Sequence, residues 1–198
     1  MLEIRELTGS NAPSGVLEIV PRRFGDDRGF FAETWNKERF EQAGVANEWC
    51  QDNQSLSAEP GTLRGLHYQT PPFAQAKLVR VLRGSVFDVA VDIRRGSPTF
   101  GRWVSLTLSA DSFNQILVPR GFAHGFLTLE PDTMVLYKVD APYSGESDRS
   151  IRWNDPDIGI DWPLGRDGVP NAPVLSAKDA EAPRMTGADI PFRYNDEA

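Results

Sequence analysis

Residues 77–93, KLVRVLRGSVFDVAVDI, constrain the fold of this chain more than any other stretch. Two runs rich in valine and leucine flank Arg83-Gly84, the arrangement of a tight hairpin. In the second run Phe87, Val89, Val91 and Ile93 fall on one side of an extended chain, and Asp88, Ala90 and Asp92 on the other. A period of two is a strand period, so this alternation predicts a sheet with two unlike faces.

Similar runs recur at WVSLTL (103–108), QILVP (115–119), FLTL (126–129) and TMVLYKV (133–139), parted by the turn sequences RRGSP, SADS, PRG and EPD. Residues 2–5 and 16–20 also read as short strands. The 17 glycines and 15 prolines match a turn-rich, all-β chain. Many short strands with frequent turns predict a sandwich, jelly roll or barrel. The best helix is NKERFEQAG, 36–44, with Asn36 placed to cap it and Gly44 to stop it. GDDRGFF, 25–31, reads as a turn followed by an apolar step. Beyond about residue 150 the pattern becomes irregular, with one short helix capped by Ser176. No repeat or linker divides the chain, so residues 1–198 are expected to form one domain.

The net charge of −7 argues against a broad basic face for nucleic acid. The amino-terminal MLEIRELTGS lacks the apolar run of a signal peptide, and no stretch has the length of a membrane span. Cys50 is the only cysteine, which fits a cytoplasmic protein. P-loop, GxGxxG and GxSxG motifs are absent.

The chain has two histidines, His67 in RGLHYQ and His124 in GFAHGF. Each could be a core histidine held by a hydrogen bond. His67 could equally be a general base, since imidazole exchanges protons near neutrality. Such a base needs a carboxylate to fix its tautomer, and Asp88, Asp92 and Asp179 are all candidates. His124 has small neighbours that leave room for a ligand. No close His-x-His pair exists, so a metal site is not expected. Lys77, Arg64 and Arg28 read either as solvated strand or turn residues or as an anion site. Tyr137 could face inward as packing or as a proton donor.

FGDDRGFFAETW, LRGLHYQ, QAKLVRVLRGSVFDVAVDIRRGSPTFGRWV, VPRGFAHGF, YKVDAPY, IRWNDPDIGIDWP and LSAKDA together resemble the dTDP-4-dehydrorhamnose 3,5-epimerase family. The resemblance runs from about residue 15 to 182. It implies a cupin-type jelly-roll β-sandwich or barrel with a few short helices, a homodimer, and no metal or organic cofactor. It implies a sugar-nucleotide substrate, dTDP-4-dehydro-6-deoxy-D-glucose, on the route to dTDP-L-rhamnose. A ketone at C4 acidifies the protons on C3 and C5, so a base on one face and an acid on the other can invert each centre through an enolate. By this resemblance His67 is the base, Asp179 orients it, Tyr137 is the proton donor and Lys77 stabilises the enolate oxygen. Arg28, Glu33, Gln51, Asn53, Arg64, His124, Asp148 and Lys178 would bind substrate, with Arg28 and Arg64 meeting the diphosphate. Tyr143 would stack near the base or sugar. Three rival readings are a single-centre epimerase of the same family, a jelly roll that only binds carbohydrate, which has no need of the full catalytic set, and a metal-dependent cupin enzyme.

Overall fold

The computed structural model describes residues 2–9 and 12–194. Its strands are β1 (Glu3–Glu6), β2 (Leu17–Val20), β3 (Arg23–Asp26), β4 (Gly29–Ala32), β5 (Gln51–Ser57), β6 (Leu63–Gln69) and β7 (Lys77–Arg83). They continue with β8 (Ser85–Asp92), β9 (Trp103–Ser109), β10 (Gln115–Val118), β11 (Phe122–Thr128), β12 (Thr133–Val139) and β13 (Asp148–Ser150). Two short helices, α1 (Lys37–Gln42) and α2 (Ala177–Ala180), complete the regular elements with one 3-10 turn.

Six strands form one antiparallel sheet in the order β1-β2-β10-β7-β12-β5, and five form another in the order β13-β6-β11-β8-β9. The result is a cupin-like β-sandwich, as expected. The expected hairpin at Arg83-Gly84 does not form. Gly84 turns the chain at φ +75°, but β7 continues into the six-stranded sheet and β8 into the five-stranded one. Alternation encodes which faces a strand buries, not which strand lies beside it.

The two unlike faces of β8 are real, and both are buried. Val89, Val91 and Ile93 pack outward with Leu63, Leu66 and Leu127 against Ile151, Ile158, Trp162 and Met185. Residues beyond 150 are therefore irregular in backbone yet form the cover of the five-stranded sheet. Val86 and Ala90 face inward, meeting Val79, Val81, Ile116, Val118, Phe126 and Val135 between the sheets. The outer face of the six-stranded sheet is covered by α1, whose Phe40 packs on Ile19, Leu78 and Leu117. Burying Phe40 contributes about 1.5–3 kcal/mol. Asn36 caps α1 by accepting the Arg39 N–H at 3.1 Å, and Gly44 follows it at φ +87°.

Four strands lie where no strand was expected. β5 (QDNQSLS) is a polar edge strand. β13 is three residues long, and β3 with β4 makes a separate two-stranded hairpin from GDDRGFF. β11 starts at Phe122, four residues before the apolar run. Among the described residues no helix is long and apolar enough to cross a membrane.

Candidate active site

Strands β6 and β11 pair with His67 directly opposite His124, which places both imidazoles on the inner face of the five-stranded sheet. The pairing slips between His124 and Phe126, where β6 carries one extra residue. This bulge depends on glycine. A Cβ on Gly65 would lie 2.5 Å from the Gly125 Cα and 2.8 Å from the His124 carbonyl oxygen. Gly65 also has φ +128°, a conformation that favours glycine. Beyond the bulge, Leu66 and Tyr68 stay on the outer face, while His67 and Gln69 turn inward.

The His67 Nε2 lies 2.5 Å from Asp179 Oδ1. Asp179 is held by its own short helix. Ser176 caps α2 by accepting the Asp179 N–H at 3.1 Å, and its hydroxyl donates to Asp179 Oδ2 at 2.7 Å. Burial alone would raise the Asp179 pKa. Hydrogen bonds from His67, Ser176 and the Gly65 N–H, with the nearby imidazole charge, hold it below the ordinary carboxylate value. An ionised carboxylate only accepts, so Nε2 carries a proton, and in the neutral ring the lone pair then falls on Nδ1. The His67 side chain is 30% exposed and lines a cavity of about 290 Å³.

His124 forms the second pair. Its Nε2 meets both carboxylate oxygens of Asp88, at 2.9 and 3.0 Å. Its side chain is 8% exposed, and that of Asp88 is fully buried. This settles the open choice of carboxylate: Asp179 serves His67 and Asp88 serves His124. Asp92 is held by Arg94, Ser97 and Thr99.

The opposite wall comes from the six-stranded sheet. Tyr137 pairs with Asn53 and Val79, and Val139 pairs with Gln51 and Lys77, so the inward-facing Gln51, Asn53, Lys77 and Tyr137 share one cavity wall. Burial pulls the Lys77 pKa down to about 8, against the charges of Asp148 and Asp88, and the neighbouring Lys178 lowers it too. Lys77 forms no ion pair among the described residues. Burial raises the Tyr137 pKa, with the Arg64 charge opposing and the Asp148 charge assisting. Its phenol is therefore protonated at neutral pH. The cavity thus holds an imidazole on one sheet and a protonated phenol with a buried lysine on the other.

Asp148, opposite Gln69 on β13, accepts from Tyr143 Oη at 3.2 Å and pairs with Lys178. Arg64 lies just off the cavity and donates to Ser57 Oγ and the Leu56 carbonyl, both at 3.4 Å. Arg28 and Glu33 are not brought to this cavity by their own chain. Arg28 pairs with Asp26 on the exposed β3–β4 turn, and Glu33 pairs with Arg39 at 3.0 Å beside a separate hollow of about 570 Å³. A larger hollow of about 840 Å³ runs along β9 but contains no histidine. Gln69 and Gln75 also line the cavity and were not foreseen. Only their long-range hydrogen bonds mark them, and those leave no local pattern. Among the described residues no group of three or more His, Cys, Asp or Glu side chains gathers as a metal cradle.

The family model described as dTDP-4-dehydrorhamnose 3,5-epimerase matches residues 11–187. A dTDP-4-dehydrorhamnose 3,5-epimerase of Sinorhizobium fredii is 52% identical over 89% of this chain and 88% of its own length. A dTDP-6-deoxy-D-glucose-3,5-epimerase from Legionella pneumophila, solved with dTDP-4-keto-L-rhamnose, superposes with TM-score 0.88 at 43% identity, covering 99% of this chain and all of that one. The Bacillus anthracis dTDP-4-dehydrorhamnose 3,5-epimerase, solved with TDP and PPi, superposes with TM-score 0.84 at 47% identity over 92% of this chain and 99% of that one.

Proposed function

The chain belongs to the dTDP-4-dehydrorhamnose 3,5-epimerase family, and on that premise we propose how its cavity performs the isomerisation. The substrate is dTDP-4-dehydro-6-deoxy-D-glucose and the product dTDP-4-dehydro-L-rhamnose. His67 Nδ1 removes the protons from C3 and from C5, one centre at a time. Asp179 keeps the proton on Nε2 and stabilises the imidazolium formed, as a buried carboxylate does for a histidine base. The electron pair moves onto the C4 oxygen, where the Lys77 ammonium stabilises the enolate. A fixed charge in a dry pocket acts more strongly there than in water. Tyr137 returns a proton from the opposite face, inverting the centre. Exchange with solvent then deprotonates His67 and reprotonates Tyr137 before the second centre reacts. Each acid or base contributes roughly 10²–10⁴-fold in rate.

The observation that carries this reading is the placement of His67 and Tyr137 on facing sheets around one cavity. A base and an acid that approach one carbon from opposite sides are what inversion requires. The relatives solved with dTDP-4-keto-L-rhamnose or TDP support a thymidine-diphosphate sugar as ligand. Gln51, Asn53, Arg64, His124, Asp148 and Lys178 then bind substrate, with Arg64 toward the diphosphate and Tyr143 as a platform for the base. No metal or organic cofactor enters the scheme.

The same reading makes the protein a cytoplasmic homodimer. Phe24, Phe30 and Phe31 on the β3–β4 hairpin are 49%, 59% and 72% exposed, an apolar surface suited to burial by a second copy. Arg28 and Glu33, remote from their own cavity, would then serve the partner's. Sedimentation of wild type against Phe31→Glu tests this, with a monomeric wild type as the contrary result.

The chemistry is tested in deuterium oxide with dTDP-4-dehydro-6-deoxy-D-glucose, following the sugar protons by NMR. Deuterium is expected at both C3 and C5. Label at one carbon alone would make the protein a single-centre epimerase. Tight binding without label would make it a carbohydrate binder.

A further inference from the structure

Residues 141–144 link β12 to the turn before β13 and belong to no strand. Four consecutive residues there are nevertheless tied down by glutamine side chains. Gln75 Nε2 donates to the Ala141 carbonyl at 2.8 Å, and Gln69 Nε2 donates to the Pro142 carbonyl at 3.1 Å. The Tyr143 N–H donates to Gln51 Oε1 at 3.0 Å, and the Ser144 N–H to Gln69 Oε1 at 2.7 Å. Gln69 is the hub. It is only 4% exposed, and its second N–H reaches the Phe73 carbonyl at 2.6 Å, joining the 70–76 loop to the same assembly. Both amide donors are therefore committed to protein, so Gln69 has none to offer a ligand. The ring it underlies is treated in the opposite way. Tyr143 is 64% exposed, and its hydroxyl is steadied by Asp148.

An exposed aromatic ring on a rigidly held backbone is an arrangement for stacking. We infer that Gln69 and Gln75 are positioning residues that preset Tyr143 at the cavity mouth for the planar base of the nucleotide. The inference rests on the reading of Tyr143 as the base platform given above. A loop of this kind would ordinarily be mobile and would have to be ordered by each ligand. Fixing its backbone beforehand removes that ordering from the binding step, so the gain appears in affinity and not in the rate of proton transfer. Each tie has a known polarity, two carbonyls and one N–H around Gln69, which also fixes the orientation of its amide.

The test is a double-mutant cycle on the full-length protein. KM and kcat for dTDP-4-dehydro-6-deoxy-D-glucose and Kd for dTDP are measured in wild type, Gln69→Glu, Tyr143→Ala and the pair. Glutamate keeps the shape but has no N–H for Phe73 and Pro142. We expect Gln69→Glu to raise KM and Kd about tenfold with kcat within about twofold, and to add less than about twofold on top of Tyr143→Ala. Full additivity, or a fall in kcat with unchanged KM, overturns the inference. Should melting show that Gln69→Glu does not fold, Gln75→Leu replaces it in the cycle. That change removes only the Ala141 tie, with about a threefold rise in KM expected and the same non-additivity. If Tyr143→Ala leaves KM unchanged, both the platform reading and the glutamine role fall. If it raises KM while the glutamine variants add independently, only the glutamine role falls.

Discussion

His67 with Asp179 and His124 with Asp88 are the same chemical pair, on neighbouring strands and in direct register, in two environments. In both, Nε2 faces the carboxylate. The carboxylate of the first pair sits on a four-residue helix outside the sheets, whereas that of the second projects from the adjoining strand β8. Side-chain exposure is 30% for His67 and 8% for His124. One imidazole lines a cavity, and the other, with little of its side chain exposed, is nearly enclosed between the sheets. A histidine–carboxylate pair is thus not in itself a catalytic unit. On the proposed mechanism, access of the second nitrogen to a reacting atom makes the difference.

If that comparison holds, damage to the two pairs should separate by kind. The largest effect is expected from His67→Asn, with kcat down by about 10³-fold and dTDP binding within a few-fold of wild type. Steady-state rates and calorimetry check this, and near-normal exchange in deuterium oxide would remove His67 as the base. Next comes Asp179→Asn, expected to lower kcat about 10²-fold by releasing the Nε2 tautomer, with a small change in melting temperature. Asp88→Asn should show the reverse balance. Breaking a buried pair from one side costs about 3–5 kcal/mol, read as a lower denaturation midpoint, while kcat falls less than in Asp179→Asn. A stable but inactive Asp88→Asn would erase the distinction between the pairs.

The smallest effect concerns pH and belongs to the wall facing both pairs. Burial places the Lys77 pKa at about 8, so its ammonium is present below that pH and lost above it. Turnover should therefore decline as pH rises through about 8. Lys77→Arg, whose guanidinium stays protonated, should lose this alkaline limb at a lower absolute rate. A limb that persists in the arginine variant would belong to another group.

Much of this was legible in the chain, for identifiable reasons. Strand β8 sends Val89, Val91 and Ile93 to one face and Val86 and Ala90 to the other, and that alternation is local. Pairing is not local, so the Arg83-Gly84 turn looked like a hairpin when it is a crossing between sheets. Strand β5 is an edge strand with mostly polar residues, and the hydrophobic pattern passes over it although it carries Gln51 and Asn53. The region after 150 has no period to read, yet Ile151, Trp162 and Ile190 bury as deeply as strand residues. In the site, His67 and Asp179 were found together, but three carboxylates were open to His67 on the residues alone, and only the fold assigns one to each histidine. Arg28 and Glu33 stand apart because Arg28 lies at the turn of an exposed hairpin and Glu33 just after its second strand, each paired to a nearby residue.

The apolar layer between the sheets has a meaning beyond stability. Val79, Val81, Ile116, Val118, Phe126 and Val135 set how far apart the two walls stand, and Tyr137 rests against the same layer. On the proposed mechanism it acts as a shim, gauging the gap across which a proton would arrive from one wall and leave to the other. A single methylene gained or lost in that layer would retune the gap without touching any group that handles a proton. Natural drift among its aliphatic residues is then a route by which chains of this architecture could come to favour one carbon of the sugar over another.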